Sequence, residues 1–172
     1  MSETETTSAP TGGIPFSTPE EWNNFYQKFG ENGRTFQDLT SLTPQSMEVI
    51  YMVAFNHYNA GKYEDAERIF QLLSVLNHFD KRFWTGLGAS REMQKKYDEA
   101  LKAYTYLAVL ELRDPLPPLL AAKCYMAMGK AKDAEGALHA CIFNAGEAPQ
   151  HAELKSQAQT LVELLAKTQS AN

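Results

Sequence analysis

A four-residue motif recurs along the chain at a fixed spacing, and this period constrains the fold more than any other feature of the sequence. Tyr63-Glu64-Asp65-Ala66 returns as Tyr97-Asp98-Glu99-Ala100 and, more weakly, as Ala131-Lys132-Asp133-Ala134, each step being 34 residues. From residue 44 onward the apolar spacing is helical, and strand-type alternation is missing. A period of this length is typical of a stack of helix pairs, in which each pair buries its apolar face against the next.

Two further sets of positions recur at the same spacing of 34 residues, and we call each such set a column. The first helix of each pair carries a small residue and the second a large one: Ala54, Gly88 and Ala122 are the small residues, and Phe70, Tyr104 and Leu138 are the large ones. Small residues let two helices approach closely, and large residues then fill the space between them. The period and these residue sizes together identify tetratricopeptide repeats.

The predicted architecture is an all-α tetratricopeptide-repeat solenoid of three helix pairs with N-terminal and C-terminal capping helices. Helices are expected near 20–29, 44–59, 63–76, 81–94, 97–112, 116–128, 131–144 and 149–167. The predicted domains are a disordered polar tail (1–13), an N-terminal helical region (14–43), three repeats (44–146), and a C-terminal capping helix with its tail (147–172). The tail is assigned as disordered because it offers almost nothing apolar to bury.

Four aromatic residues recur at three- and four-residue steps near the N-terminus: Trp22, Phe25, Tyr26 and Phe29. This spacing places them on one face of a short helix. Four aromatics exceed what an independent cap must bury, so we expect a homodimer through this face. Intramolecular packing of the same face is the competing interpretation.

Composition excludes several classes of function. With 16 Lys and Arg against 21 Asp and Glu, the net charge of −5 argues against a nucleic-acid partner. No apolar run is long enough to predict membrane insertion, and the first residues lack the features of a secretory signal. Cys124 and Cys141 form no metal-binding spacing, so we expect no metal site and a reducing, cytoplasmic location.

Catalysis has no visible site in the sequence. Phosphate-binding glycine loops, zinc-protease motifs and hydrolase nucleophile motifs are missing from it. Cys124 with His57 or His139 would supply a thiol and a base, but cysteines in helical repeats are most often small core residues. The carboxylates at the starts of the second helices complement the helix dipole. We therefore predict a protein that is not an enzyme, with no catalytic residues and no cofactor.

The helix at 44–59 has two apolar faces. One is the expected core face, Ile50, Val53, Ala54 and His57; the other is an aromatic stripe, Tyr51, Phe55 and Tyr58. In a solenoid the first helix of each pair lines the concave side, so the stripe is predicted to face a peptide-binding groove. Packing of the stripe on the N-terminal helix or on the neighbouring repeat is the alternative. The same columns in the next two repeats hold Thr85, Ala89, Glu92, Leu119, Lys123 and Met126.

This predicted groove is mostly apolar or small, with one charge of each sign, and suits an extended apolar peptide. Some tetratricopeptide proteins instead grip the acidic C-terminal peptides of heat-shock chaperones with a clamp of Lys, Asn and Arg in these columns. Only Lys123 has that character here, so a clamp of this kind is not expected.

Several segments resemble the class II type III secretion chaperones of the LcrH/SycD kind. The resemblance covers about residues 29 to 141 and rests on Ile50-Tyr51, on YNAGKYEDA from Tyr58, on IFQLL from Ile69, on FWTGLGA from Phe83, and on AAKC from Ala121. The chain departs from the pattern at Lys95-Lys96, where a Leu-Gly turn is common.

The resemblance implies a small, acidic, cytoplasmic bacterial chaperone. Proteins of this family bind extended segments of hydrophobic, pore-forming translocators in the concave groove and keep them soluble and secretion-competent, without hydrolysing nucleotide. Several are dimers through the N-terminal helical region, and some have a transcriptional activator as a further partner. The alternative function is a general tetratricopeptide-repeat adaptor or scaffold with other clients.

Overall fold

The computed structural model describes Glu20 and residues 35–170, and this part of the chain is helical without strands. Its helices are α1 (Pro44–Asn59), α2 (Tyr63–Leu76), α3 (Lys81–Met93), α4 (Tyr97–Leu110), α5 (Leu116–Ala127), α6 (Ala131–Ala145) and α7 (Ala152–Ser170). Two short 3₁₀ turns, Phe36–Leu39 and Pro149–His151, precede α1 and α7. The predicted all-α fold is confirmed.

Each helix packs mainly against the next along the chain, and α7 packs on α6 as the terminal cap. The three repeats are therefore α1–α2, α3–α4 and α5–α6. The last helix begins later than predicted, at Ala152, because Pro149–His151 forms a 3₁₀ turn. The polar tail, the helix expected at 20–29 and the four predicted dimerisation aromatics lie outside the described residues, apart from Glu20.

Side-chain caps fix the starts of the first helices of repeats 1 and 2. The Thr43 hydroxyl accepts a hydrogen bond from the backbone N–H of Ser46 at 3.1 Å, and Pro44 follows at the first helical position. The Asp80 carboxylate accepts one from the backbone N–H of Arg82 at 2.9 Å. These bonds satisfy backbone donors that a helix start leaves unpaired.

The turns within the three repeats share one backbone conformation. Gly61, Lys95 and Gly129 occupy the same repeat position and have φ angles of 74°, 61° and 71°. This left-handed conformation costs a residue with a side chain about 1 kcal/mol more than glycine. The middle turn is therefore formed by a less favourable residue than the other two.

Close approach at α3 depends on two glycines. The Phe70 ring from α2 lies against Gly86, where a Cβ atom would stand 2.5 Å from the ring, and the Tyr104 ring from α4 lies against Gly88. The predicted small and large columns are confirmed, because every member is buried. Val53 was wrongly expected in the core: it is 43% exposed, whereas the adjacent Ala54 is fully buried.

A buried carboxylate links repeats 1 and 2. Glu67 on α2 is 8% exposed and accepts hydrogen bonds from Arg91 Nε at 2.9 Å, Gln94 Nε2 at 2.8 Å and Lys96 Nζ at 2.9 Å. Burial by itself would raise the pKa of Glu67, but the bonds from Lys96, Arg91 and Gln94 outweigh it and lower the pKa to about 2. The ionised carboxylate thus ties α2 to α3 and to the start of α4.

Candidate functional site

A cavity of about 390 Å³ opens on the first helices of repeats 1 and 2. We call it the groove; it is lined by Tyr51, Phe55, Tyr58, Phe70, Lys81, Arg82, Thr85, Gly86, Ala89, Leu107, Asp114 and Leu116. Five of the nine predicted groove residues are among them: Tyr51, Phe55, Tyr58, Thr85 and Ala89. The expectation that the aromatic stripe of α1 borders a cavity agrees with this placement.

The aromatic wall of the groove comes from α1. Tyr51 and Phe55 are one helical turn apart, and their rings stack with centroids 6.2 Å apart. Tyr51 also meets Phe70 edge to face at 5.9 Å, so it belongs partly to the core. Phe55 is 42% exposed and is the member of the stripe most available to a ligand. Tyr51 therefore both packs on the core and borders the cavity, whereas Phe55 borders the cavity with a larger part of its side chain exposed.

The floor of the groove is set by the glycine contact at α3. Because Gly86 has no side chain, the Phe70 ring lies directly under the helix backbone, and Leu107 of α4 borders the same space. The Thr85 hydroxyl donates to the Lys81 carbonyl of its own helix at 2.8 Å, so it makes no demand on a ligand. The result is a largely apolar surface that an extended apolar segment would cover.

One end of the groove carries cations that are already paired. Arg82 lies 3.0 Å from Glu48 and 2.8 Å from Asp80, and its guanidinium carbon stands 4.8 Å from the Tyr51 ring centroid. Hydrogen bonds to Asp80 and then Glu48 raise the pKa of Arg82, against the effect of partial burial. Lys81 pairs with Glu111 at 2.9 Å. Sequence reasoning missed both residues, although each is one turn before Thr85.

The third repeat departs from the predicted groove. Leu119 was expected to face the groove, but it is 1% exposed and lies in a core cluster with Ala122 and Leu138, so this prediction is wrong. Met126 packs partly against the same cluster. The physical reason is α7, whose Ala158 and Leu165 join this cluster. Leu116, one turn before Leu119, borders the groove instead.

The predicted groove residues Glu92 and Lys123 are partly buried and do not line the cavity. Glu92 accepts a hydrogen bond from the Tyr104 hydroxyl at 2.9 Å. Within the described ranges, Lys123 makes no hydrogen bond or ion pair.

The two cysteines lie in the buried interior of the repeats. Cys124 and Cys141 are buried and unpaired with each other. Burial, and then the charge of Glu92, raises the pKa of Cys124 to about 12, and burial raises the pKa of Cys141 as well. A thiol that stays protonated is a poor nucleophile, which agrees with the interpretation of Cys124 as a core residue.

Within the residues that the structure describes, no group of three or more His, Cys, Asp or Glu side chains is arranged to hold a metal ion. No helix in the same ranges combines the length and apolarity needed to cross a membrane.

Comparison with known proteins agrees with the repeat assignment. The family model described as tetratricopeptide repeat matches residues 47–80 and 83–113. The chain is 34% identical over 146 residues to the Low calcium response locus protein H of Yersinia pseudotuberculosis, a match that covers 85% of this chain and 87% of that protein.

Two solved structures are also similar. One is a type III secretion complex from Aeromonas hydrophila, with 32% identity and a TM-score of 0.78, covering 87% of this chain and 99% of that one. The other is the Yersinia enterocolitica type III secretion chaperone SycD in complex with a peptide of the translocator YopD. It has 35% identity and a TM-score of 0.70, and it covers 76% of this chain and 99% of that one.

The helix pairs and the groove between them define a tetratricopeptide-repeat protein. With these relatives and the residues that carry the resemblance, the chain belongs to the class II type III secretion translocator chaperones.

Proposed function

We propose that this protein is a cytoplasmic chaperone that binds extended segments of hydrophobic translocators in the groove and keeps them soluble until secretion. The observation that carries the proposal is the apolar groove with its exposed aromatic residue, Phe55, on a chain of this family. The SycD structure supports it, because that relative is seen with a peptide of the translocator YopD.

The groove suits this function physically. A translocator that will enter a membrane exposes apolar segments, and such segments aggregate unless they are covered. An extended peptide presents spaced side chains to a surface, and buried aromatic contacts usually dominate the affinity of such interfaces. Tyr51 and Phe55 offer contacts of that kind, and the function requires no catalytic step.

The direct test is co-expression with a pore-forming translocator of the same secretion system. We expect the translocator to stay soluble and to copurify with the chain, and a Phe55→Ala variant to recover less of it. A translocator that remains insoluble, while the chain recovers unrelated proteins from a secretion-competent lysate, would favour the general adaptor function.

We also propose that the protein is a homodimer through Trp22, Phe25, Tyr26 and Phe29. The support is the sequence pattern, since apolar aromatics on one helical face need a partner surface. Sedimentation equilibrium of a variant with all four residues replaced by alanine should give the mass of one protomer. A dimer mass for that variant would contradict the proposal.

A further inference from the structure

The charged residues at the two ends of the groove differ in their partners. At one end, Arg82 pairs with Asp80 and Glu48, and Lys81 pairs with Glu111, so these cations are neutralised within the protein. Away from that end, Glu92 follows the lining residue Ala89 on α3 by about one turn, and Lys123 follows the lining residue Leu116 on α5 by about two turns. Within the described residues neither has a partner of opposite charge, and Glu92 has one hydrogen bond, from Tyr104.

Glu92 lies close to the Tyr58 end of the groove. It follows Ala89, which lines the groove, by about one helical turn on α3. Burial first, and then the neighbouring Tyr63 and Glu92, raise the pKa of Tyr58. Among the described residues, the Tyr104 hydroxyl donates the one hydrogen bond that the Glu92 carboxylate accepts.

Lys123 occupies the next first helix, α5, at the repeat position of Phe55 and Ala89. Its side chain is half-buried, and the structure gives it neither a carboxylate nor a carbonyl partner among the described residues. An ammonium group has three donors and loses hydration when it is covered. A bound segment that covered Lys123 would therefore have to offer it an acceptor.

A ligand that lies over both residues must supply a donor to Glu92 and an acceptor to Lys123. A charged side chain of the ligand suits this poorly. A lysine near Glu92 would also be repelled by Lys123, and a carboxylate near Lys123 would be repelled by Glu92. A peptide unit is neutral and carries both groups. On an extended strand, the N–H and C=O of one residue point to the same side.

We propose that Glu92 and Lys123 form a main-chain clamp, in which Glu92 accepts a backbone N–H and Lys123 donates to a backbone C=O of the bound segment. The clamp rests on the proposed function and adds a polar subsite to the apolar groove. It holds the backbone of an extended segment without selecting its side chains, so segments of different sequence are accepted, and the apolar groove sets the register.

The test uses isothermal calorimetry with the YopD peptide that SycD binds, prepared as a series in which each amide in turn is replaced by an ester. An ester keeps the chain length but removes one N–H donor. We expect one position at which the ester weakens binding to the wild-type protein by about tenfold, the usual effect of losing a hydrogen bond to a charged group. At that position the ester should cost nothing in Glu92→Ala.

Controls separate the clamp from a purely structural role of Glu92. Glu92→Ala is compared in a Tyr104→Phe background, where no phenol hydroxyl is left without its acceptor, and Glu92→Gln retains an acceptor without the charge. Lys123→Met should weaken binding of the parent peptide by about tenfold, whereas Lys102→Met, at an exposed position on α4, should leave affinity unchanged. Thermal melts check that each variant is folded.

The outcomes are distinct. If the wild-type protein binds the parent peptide but every ester costs the same with and without Glu92, the clamp is wrong and the proposed function stands. Unchanged affinity in both Glu92→Ala/Tyr104→Phe and Lys123→Met would overturn it equally. If the wild-type protein binds neither the parent peptide nor a translocator of its own system, the proposed function fails and the clamp with it.

Discussion

Repeats 1 and 2 use their first helices differently from repeat 3. Tyr51, Thr85 and Leu119 share one repeat column, yet the first two border the groove and the third is buried in the core. The difference lies in the neighbours. α7 contributes Ala158 and Leu165 to the cluster that contains Leu119, whereas the groove leaves Tyr51 and Thr85 partly open.

A repeat column therefore fixes which side of a helix a residue occupies, but the surrounding elements decide whether that side is core or binding surface. In this chain the capping helix packs against part of the third repeat, and most residues that line the groove lie on α1 and α3. Mutations in the same column should thus have different consequences in different repeats.

The largest expected change in stability comes from substitution of Leu119. Leu119→Ala should lower the free energy of unfolding by about 2 to 5 kcal/mol, because it leaves a cavity in a packed core. Thr85→Ala, the matched change in repeat 2, should alter stability by less than about 0.5 kcal/mol, since its hydroxyl bonds only to its own helix. Urea denaturation followed by circular dichroism measures both. Equal losses at the two positions would remove the distinction between the repeats.

Acid should weaken the link that the Glu67 carboxylate forms between repeats 1 and 2. Because the pKa of Glu67 is about 2 in the folded protein against an ordinary 4.5, its ionised form stabilises the fold above pH 4.5. This contribution, on the order of 3 kcal/mol, is lost as the pH falls from about 4.5 to about 2. Glu67→Gln should flatten that part of the stability profile. The exposed Glu64→Gln is the control, and a profile unchanged by Glu67→Gln would contradict the prediction.

The smallest change in stability is expected from substitutions in the turns within the repeats. Lys95→Gly should raise stability by about 0.5 to 1 kcal/mol, because glycine adopts the left-handed conformation without a steric cost. Gly129→Ala, at the same position of the next repeat, should lower it by a similar amount. Thermal melts of the two variants give opposite shifts if the turns are equivalent. A loss of stability in Lys95→Gly would show that the lysine side chain has a role that outweighs backbone strain.

Most of the fold was predictable because its signals are local and repeated. Thr43-Pro44 marks the start of α1, Gly61 and Gly129 mark turns, and the small and large columns set the packing. The helix α7 begins at Ala152 and not at the predicted position 149, because Pro149 suits a 3₁₀ turn as well as a first helical turn. The N-terminal predictions remain predictions.

The groove was less predictable because part of it depends on contacts between distant segments. The burial of Leu119 depends on α7. This helix lies outside the repeats, so the 34-residue period does not predict its contacts. Arg82 pairs with Glu48, 34 residues away, and Lys81 pairs with Glu111, 30 residues away, so these contacts at the charged end of the groove required the structure. The aromatic stripe of α1 was visible because all of its members belong to one helix.

We propose that repeats 1 and 2 form the translocator-binding surface, whereas Leu119 in repeat 3 belongs to the core. Calorimetry with a translocator segment, comparing Phe55→Ala with Leu119→Ala, distinguishes these two roles. Phe55→Ala should keep its stability and lose about 2 kcal/mol of binding free energy, the loss typical of an aromatic anchor. Leu119→Ala should lose stability and, while folded, keep its affinity. Full affinity in Phe55→Ala, or a loss of affinity in folded Leu119→Ala, would contradict the account.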